Sequence, residues 1–246
     1  MGGGILAGAL LVCFGMATPA AAASEDNAAA WYNYQGDHPF SKGNPWGTTL
    51  ALQWRRNRGG IQPLQTLAQF GIFRKINPHI TVSGGYIFLS TNRYGQYPTL
   101  ATFPEHRTYE IVSFNYGIPK NWGMTNRLWF EQRHLGQMVP NAAGTGYNVG
   151  SYRYENRFRY LLKFTHPLPW ENYYFAIQSE IFFNYGKNVY KNVFDQNRAF
   201  TGIGYRFRPD LRVEVGYMEH TVQGRGGNLY QHNHTFQITL FSAIPF

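Results

Sequence analysis

The stretch that decides the fold is RYENRFRYLLKF, residues 153–164, in which charged and apolar side chains alternate. One parity carries Arg153, Glu155, Arg157, Arg159 and Lys163, and the other carries Tyr154, Phe158, Tyr160, Leu162 and Phe164. Successive side chains of a strand point to opposite faces, whereas a helix would scatter these charges around its surface. The stretch therefore predicts a β-strand with one charged face and one apolar face.

The same period of two recurs along most of the chain. It predicts ten strands, at residues 47–56, 64–76, 79–91, 106–117, 124–135, 152–164, 172–185, 196–207, 210–221 and 232–244. Residues 64–76 and 106–117 alternate less cleanly than the others, so we expect bulges or register shifts in these two stretches.

The predicted connections alternate between long and short. A tight turn at Asn77-Pro78 comes before a long loop at 92–105, and a shorter turn at 118–122 comes before a second long loop at 136–151. A tight turn also occurs at Arg208-Pro209-Asp210. An even number of strands, with short turns at one end and longer loops at the other, is typical of bacterial outer-membrane barrels. The expected fold is all-β, a single antiparallel transmembrane β-barrel of about ten strands over residues 47–246.

The N-terminal residues predict export. Residues 5–17 are almost wholly apolar and are followed by the small residues of 20–23, the pattern of a secretory signal peptide. The apolar run is too short to cross a bilayer as a helix. We expect a cleaved signal peptide over 1–23, which contains the single cysteine Cys13, then an N-terminal periplasmic segment over 24–46 and location in the bacterial outer membrane.

The composition excludes several classes of protein. One cysteine excludes a disulfide scaffold and a cysteine zinc site, and 17% aromatic residues argue against disorder. The formal net charge of +9 would ordinarily suggest nucleic acid as a partner. The bases alternate with acids on one strand face instead of forming a basic surface, so we expect no nucleic-acid binding.

The charged parity is expected to face the interior of the barrel, because a charge facing lipid costs roughly 2–4 kcal/mol at mid-bilayer. The hairpin geometry predicts two ion pairs, Arg157–Glu180 and Arg206–Glu214. The expected charge network of the lumen consists of Arg127, Glu131, Arg133, Arg153, Glu155, Arg157, Arg159, Glu180, Arg198, Arg206, Arg212 and Glu214.

Such an interior has two interpretations. It could be a salt-bridged filling that makes a narrow barrel rigid, or a narrow aqueous path that favours small anions because bases outnumber acids. The filled interior is the favoured interpretation for ten strands. The alternatives are an outer-membrane enzyme acting on lipid or peptide, and a secreted lipocalin-like ligand carrier.

Candidate reactive residues are few, and we predict no catalytic residues, no metal site and no cofactor. Ser179, or Ser113 with His106, could serve a lipase-like arrangement, but neither serine has a histidine in a clear pairing. His220 with His232 and His234 could form a metal site at the ends of the last two strands. Solvated polar roles are the simpler interpretation of these histidines.

Several motifs resemble an uncharacterised bacterial family described only as a domain of unknown function. They are Glu105-His106-Arg107, residues 127–133, residues 194–198 with Gly202-Ile203-Gly204-Tyr205, Gly216-Tyr217-Met218, and a late histidine, His232 or His234. The resemblance covers residues 45–246 and implies an outer-membrane β-barrel without implying an activity. The terminal Phe246, in phase with the last apolar parity, resembles the signal recognised by the barrel-assembly machinery, so that machinery and outer-membrane lipid are the expected partners.

Overall fold

The structure, a computed structural model, describes residues 23–95 and 99–246. Within these ranges the chain forms eleven long strands, and a short 3₁₀ turn at Arg58–Gly60 joins the second strand to the third. No helix in the described ranges is long and apolar enough to cross a membrane. The strands are β1 (Ala23–Pro39), β2 (Trp46–Asn57), β3 (Gln62–Lys75), β4 (Ile80–Thr91), β5 (Phe103–Ile118), β6 (Trp122–Pro140), β7 (Tyr147–Pro167), β8 (Tyr173–Tyr185), β9 (Phe194–Arg208), β10 (Leu211–Gln223) and β11 (Leu229–Ser242).

These strands close into one barrel, in which each strand pairs with its neighbours in the chain and β1 also pairs with β11. All sequential pairs are antiparallel, whereas β1 and β11 are parallel, from Ala23 opposite Leu229 to Gly36 opposite Ser242. The parallel closure follows from the odd strand number, because the first and last members of an alternating odd set run in the same direction.

The prediction of ten strands is wrong, and the additional strand is β1. Residues 24–39, predicted as part of a segment outside the barrel, pair with β2 on one side and β11 on the other. Alternation was hard to recognise here because Ala28, Ala29, Ala30 and Gly36 give no apolar signal to either face. Apart from Ala23, the predicted signal peptide lies outside the described residues.

The two ends of the barrel differ in their connections. The lower end carries the turns 40–45, 76–79, 119–121, 168–172 and 209–210 and the C-terminal residues. The upper end carries the connections 58–61, 92–102, 141–146, 186–193 and 224–228 and the start of β1. From β3 onward each upper connection is longer than the lower turns beside it, as predicted, whereas 58–61 is shorter than 40–45. Strands β6 and β7 extend further than predicted and shorten the loop expected at 136–151.

Register shifts interrupt the ladders at four places. Of the two stretches in which we expected them, one contains a shift: Leu64 is an extra residue of β3, between the partners of Arg55 and Arg56. The β5 stretch 106–117 pairs in continuous register with both neighbours, so the prediction there is wrong. The other shifts lie opposite the pairs 137/138, 182/183 and 211/212.

The polar parity faces the interior and the apolar parity faces outward. On β6 and β7, Glu131 lies directly opposite Arg157, and both are buried. The outward neighbours Phe130 and Phe158 also lie opposite each other, with their ring centroids 5.2 Å apart. Opposite charges on one face of neighbouring strands stabilise the ladder, and the outward aromatic rings pack side by side.

Candidate functional site

The upper half of the interior contains a connected set of arginine and carboxylate side chains, which we call the upper network. At its centre is Glu131 of β6, which has no exposed surface. Its carboxylate lies 2.5 Å from Arg157 Nη2, 3.0 Å from Arg159 Nη1 and 3.5 Å from Arg107 Nη1. These arginines come from the two strands that flank β6, so one carboxylate ties three strands together. The members are Glu105, Arg107, Arg127, Glu131, Arg133, Arg153, Glu155, Arg157, Arg159, Glu180, Asp195 and Arg198.

Two further carboxylates extend the network across the interior. Glu105 accepts hydrogen bonds from Arg133 Nε at 2.5 Å and from Arg107 Nε at 2.7 Å. Asp195 of β9 lies 2.8 Å from Arg157 Nη1 and 3.9 Å from an Arg133 nitrogen. Asp195 is the extra residue of the bulge opposite Phe182 and Phe183, and a bulge re-aims side chains in this way. The network therefore crosses the bore instead of only following the wall.

Glu180 of β8 forms the lower edge of the network. Its carboxylate lies 2.7 Å from Arg159 Nη2, 3.1 Å from Arg127 Nη2 and 3.8 Å from Arg198 Nη1. The predicted pair Arg157–Glu180 is wrong, because Glu180 lies opposite Leu161 and Arg157 lies opposite Asn184, four residues further up the ladder. The structure instead pairs Glu180 with Arg159.

Below the network lies a cavity of about 450 Å³, which we call the lower chamber. Its lining includes residues at the lower strand ends, such as Asp37, Gly123 and Ser242, so the cavity reaches the lower mouth. Much of its wall is uncharged and small, for example Ser113 and Thr125. The two halves of the interior therefore differ, since side chains fill the upper half and leave the lower half open.

Glu214 of β10 projects into this chamber. Its carboxylate lies 2.6 Å from Lys163 Nζ and accepts a 2.9 Å hydrogen bond from the Tyr174 hydroxyl. A Cβ at Gly204 would overlap the Tyr174 ring, so this glycine makes room for the tyrosine. The predicted pair Arg206–Glu214 is wrong, because a register shift places Arg206 opposite Arg212 and Glu214 opposite Gly204.

The structure assigns the twelve predicted lumen residues to both halves. Arg153, with its Nε 2.6 Å from Glu155, lies at the upper side of the network, and Arg206, Arg212 and Glu214 line the lower chamber. Arg153 and the other eight predicted residues belong to the upper network. Sequence reasoning missed several charged interior residues, among them Arg55, Glu105, Arg107 and Asp195. Lys163 was predicted to point inward with the charged parity of its strand but was not included in the expected network. The inward position of Asp195 depends on a bulge, and a single sequence gives no signal for it.

The connection from β4 to β5 leaves the barrel at the upper mouth, where Tyr94 contacts a distant strand. Tyr94, which is partly buried, donates a 3.0 Å hydrogen bond from its hydroxyl to Gln231 of β11, and Gln231 in turn donates to Glu25 of β1. Burial, and then the charge of Glu25, raises the pKa of Tyr94 to about 12, so the hydroxyl stays a proton donor at neutral pH. Around the barrel, β11 is four strands away from β4, where this connection begins. The hydrogen bond between Tyr94 and Gln231 therefore spans part of the upper opening.

The candidate reactive groups are not brought together. Ser113 lines the lower chamber, whereas His106 lies on the outer face, where its Nδ1 contacts the Tyr86 hydroxyl. His220 is buried in the interior beside Trp31, while His234 is on the outer face with Glu219. His232 also contacts Glu219, so His232 and His234 lie together on the outer face, and the possible cluster with His220 does not form. Among the described residues, no group of three histidine, cysteine or acidic side chains is arranged to hold a metal ion.

The comparisons with known proteins give a family and one similar fold. A solved structure of the NanC porin is similar with a TM-score of 0.45 and 12% sequence identity, over 82% of this chain and 92% of that chain. No curated protein matches the chain. The family model described as "Protein of unknown function (DUF2490)" matches residues 28–231. The match begins within β1 and extends into β11, and the chain therefore belongs to this family of proteins of unknown function.

Proposed function

We propose that this protein is an outer-membrane β-barrel whose bore is closed by the upper network, so that it does not act as an open pore. The observation that carries the proposal is the burial at the network's centre, where Glu131 and Arg157 are 0% and 1% exposed. Charged groups become this inaccessible only where other side chains exclude water from them. The proposed role of the network is structural.

The outer surface supports the membrane location. Large apolar side chains point outward around the whole barrel, for example Phe70 at 58% and Phe236 at 51% exposed. Soluble monomers rarely expose apolar patches of this extent. A soluble lipocalin-like carrier would need the reverse distribution, with an apolar interior and a polar exterior. The expected signal peptide and the longer upper loops agree with an outer-membrane barrel whose upper end faces outward.

Aromatic side chains mark the two edges of the apolar belt. Tyr173 packs against Tyr205 near the lower end with the two rings tilted, and Tyr154 and Tyr217 lie on the outer face of the upper half. Rings at these levels are typical of interfacial girdles. Of the outward carboxylates, Glu110 accepts a hydrogen bond from Gln132 Nε2 at 3.0 Å, and Gln132 belongs to a polar row above Phe130 and Phe158. Glu110 itself lies opposite Phe130, so it borders the apolar belt directly below this polar row.

The C-terminal residues agree less closely with the expected assembly signal. Strand β11 ends at Ser242, so Phe246 does not continue its alternation. Phe246 is 76% exposed, donates its backbone amide to Pro39 O at 3.1 Å and packs near the His38 ring. Recognition of this exposed ring by the barrel-assembly machinery, and contact of the apolar belt with outer-membrane lipid, remain part of the proposal. Nucleic-acid binding is not part of the proposal, because most arginine and lysine side chains of the strands lie in the interior of the barrel.

A second candidate function is a narrow path for small anions. The observation in its favour is the lower chamber, whose wall carries more bases than acids. This path would require the upper network to open, because Glu131 and its arginines cross the bore. An enzymatic role is not proposed, because Ser113 and His106 are on opposite faces of β5, and the register partners of Ser179 are Leu162 and Ala199.

Planar-bilayer recording of the refolded protein separates these functions. We expect no steady conductance steps from the native chain and steady steps from the Glu131→Ala/Arg157→Ala variant, which removes the centre of the network. Steady anion-selective steps from the native chain would contradict closure and support the second candidate. Membrane fractionation of a Gram-negative host is the companion measurement, and recovery of the protein in the soluble periplasm would contradict the membrane location.

A further inference from the structure

The wall of the lower chamber carries an excess of positive charge. Eight bases line it, against three acids. Two of these acids are already occupied, because Glu180 has three arginines within 4 Å and Glu214 binds Lys163. The third, Asp37, is exposed. The bases are Arg55, Arg107, Arg127, Arg159, Lys163, Arg198, Arg206 and Arg212.

Two of the bases form an adjacent pair near the lower mouth. Arg206 and Arg212 lie directly opposite each other on β9 and β10, and no carboxylate of the described chain is within 4 Å of either guanidinium. Instead, the Arg206 guanidinium lies 4.1 Å from the centre of the Tyr174 ring, and that of Arg212 lies 4.4 Å from the centre of the Phe241 ring. A stacked guanidinium keeps its N–H donors in the plane available for a carboxylate or phosphate.

The inner end of the chamber presents buried donors without acceptors. The Nε atoms of Arg127 and Arg198 and the indole nitrogens of Trp31 and Trp129 are buried, and none of the four has a hydrogen-bond partner. All four residues line the chamber. They lie around Glu180, because Arg127 and Arg198 contact its carboxylate and their guanidiniums pack 5.0 Å from the rings of Trp129 and Trp31 respectively. Buried donors without partners are rare in folded proteins and are costly.

We propose that the lower chamber is a binding site for a small organic anion that carries carboxylate or phosphate groups. Arg206 and Arg212 receive the anion at the mouth, and Arg127, Arg198, Trp31 and Trp129 supply donors at the inner end. A volume of about 450 Å³ lies within the range of small-molecule sites. The inference rests on the proposed function in one respect. Because the upper network closes the bore, the chamber is a pocket and not a passage.

Calorimetric titration of the refolded, full-length protein in zwitterionic detergent tests the site. The probes are citrate for a carboxylate ligand and inorganic phosphate for a phosphate ligand, with glycerol as the uncharged comparison. We expect at least one anion to bind, and its affinity to fall by about tenfold or more in Arg206→Gln/Arg212→Gln. The affinity should also fall between about 10 mM and about 200 mM NaCl, because salt screens charges that are exposed at the mouth.

The matched control is Arg208→Gln, which removes the same charge from the same hairpin. Arg208 pairs with Asp210 at the turn and does not line the chamber, so its loss should change the affinity by less than about twofold. If the double variant does not refold, Arg206→Gln alone, at an exposed position, replaces it. Binding no tighter than that of glycerol, or equal affinity in native and chamber variants, would overturn the proposal. Conductance by the native barrel would contradict closure but leave this binding result in place.

Discussion

The upper and lower halves of the interior are built on the same alternating strands, yet one is filled and the other is open. In the upper network each carboxylate has two or more arginines in contact, as Glu131 and Glu105 do. In the lower half Arg206 lies opposite Arg212, and neither has an acid. The difference shows that alternation alone decides which face is interior, whereas the balance of charges at each level decides whether the interior closes.

Side-chain volume contributes to the same difference. The wall of the lower chamber includes Ser113, Thr125 and Thr239, which are too short to cross the bore. In the upper half, long arginine side chains from β6 and β7 reach as far as Asp195 on β9. Arginine suits this arrangement because its planar fork of donors can bind two carboxylates at once.

The largest effect is expected from breaking the centre of the upper network. Glu131→Gln leaves Arg107, Arg157 and Arg159 without their shared carboxylate, and uncompensated buried charge costs about 3–5 kcal/mol of unfolding free energy. The measurement is urea unfolding of the barrel in lipid vesicles. The control is Glu171→Gln in the exposed lower turn, for which we expect a change within about 0.5 kcal/mol. Equal stability of the two variants would mean that the upper half is hydrated.

A double-mutant cycle tests the pairing within the upper half. We expect Arg159→Gln and Glu180→Gln to show a coupling energy of about 1–3 kcal/mol, because their charged groups are 2.7 Å apart. The comparison cycle uses Arg157→Gln with the same Glu180→Gln. Arg157 binds Glu131 and Asp195 instead, so its coupling to Glu180 should be smaller. A larger coupling in the comparison cycle would restore the pairing that the alternation first suggested.

A smaller effect is expected for the inward carboxylate of β10. Glu214→Gln removes the partner of Lys163, but the chamber admits water, so we expect a loss of about 1–2 kcal/mol instead of the full cost of a buried charge. Urea unfolding in the same vesicles measures it. A loss as large as that of Glu131→Gln would show that the lower half is as dry as the upper half.

The smallest effect is expected at the lower mouth. Arg206 is exposed and has no carboxylate partner, so Arg206→Gln should change the unfolding free energy by less than about 0.5 kcal/mol. Stability should therefore separate Arg206 from the arginines of the upper network, although all share one parity. A loss above about 1 kcal/mol would indicate that this arginine is part of a structural network.

The fold was largely predictable because the strong strands, such as β7, β8 and β10, alternate clearly between charged and apolar residues. Strand β1 was missed because small residues such as Ala29 and Gly36 hide its alternation. The same alternation also predicted which residues of the central strands point into the interior. The ion pairs could not be predicted in the same way. The turn 168–172 sets Glu180 opposite Leu161 instead of close to Arg157, and the register shift beside Leu211 sets Arg206 opposite Arg212.

Accessibility to a small thiol reagent tests the central comparison most directly. In a Cys13→Ser background, single cysteines replace Ser113, which lines the lower chamber, and Thr235, which is fully buried outside it. The reagent is methanethiosulfonate ethylsulfonate, applied to both ends of the refolded barrel in detergent micelles. The expected result is rapid labelling at position 113 and negligible labelling of folded protein at position 235. Equal labelling at the two positions would contradict an interior that is closed above and open below.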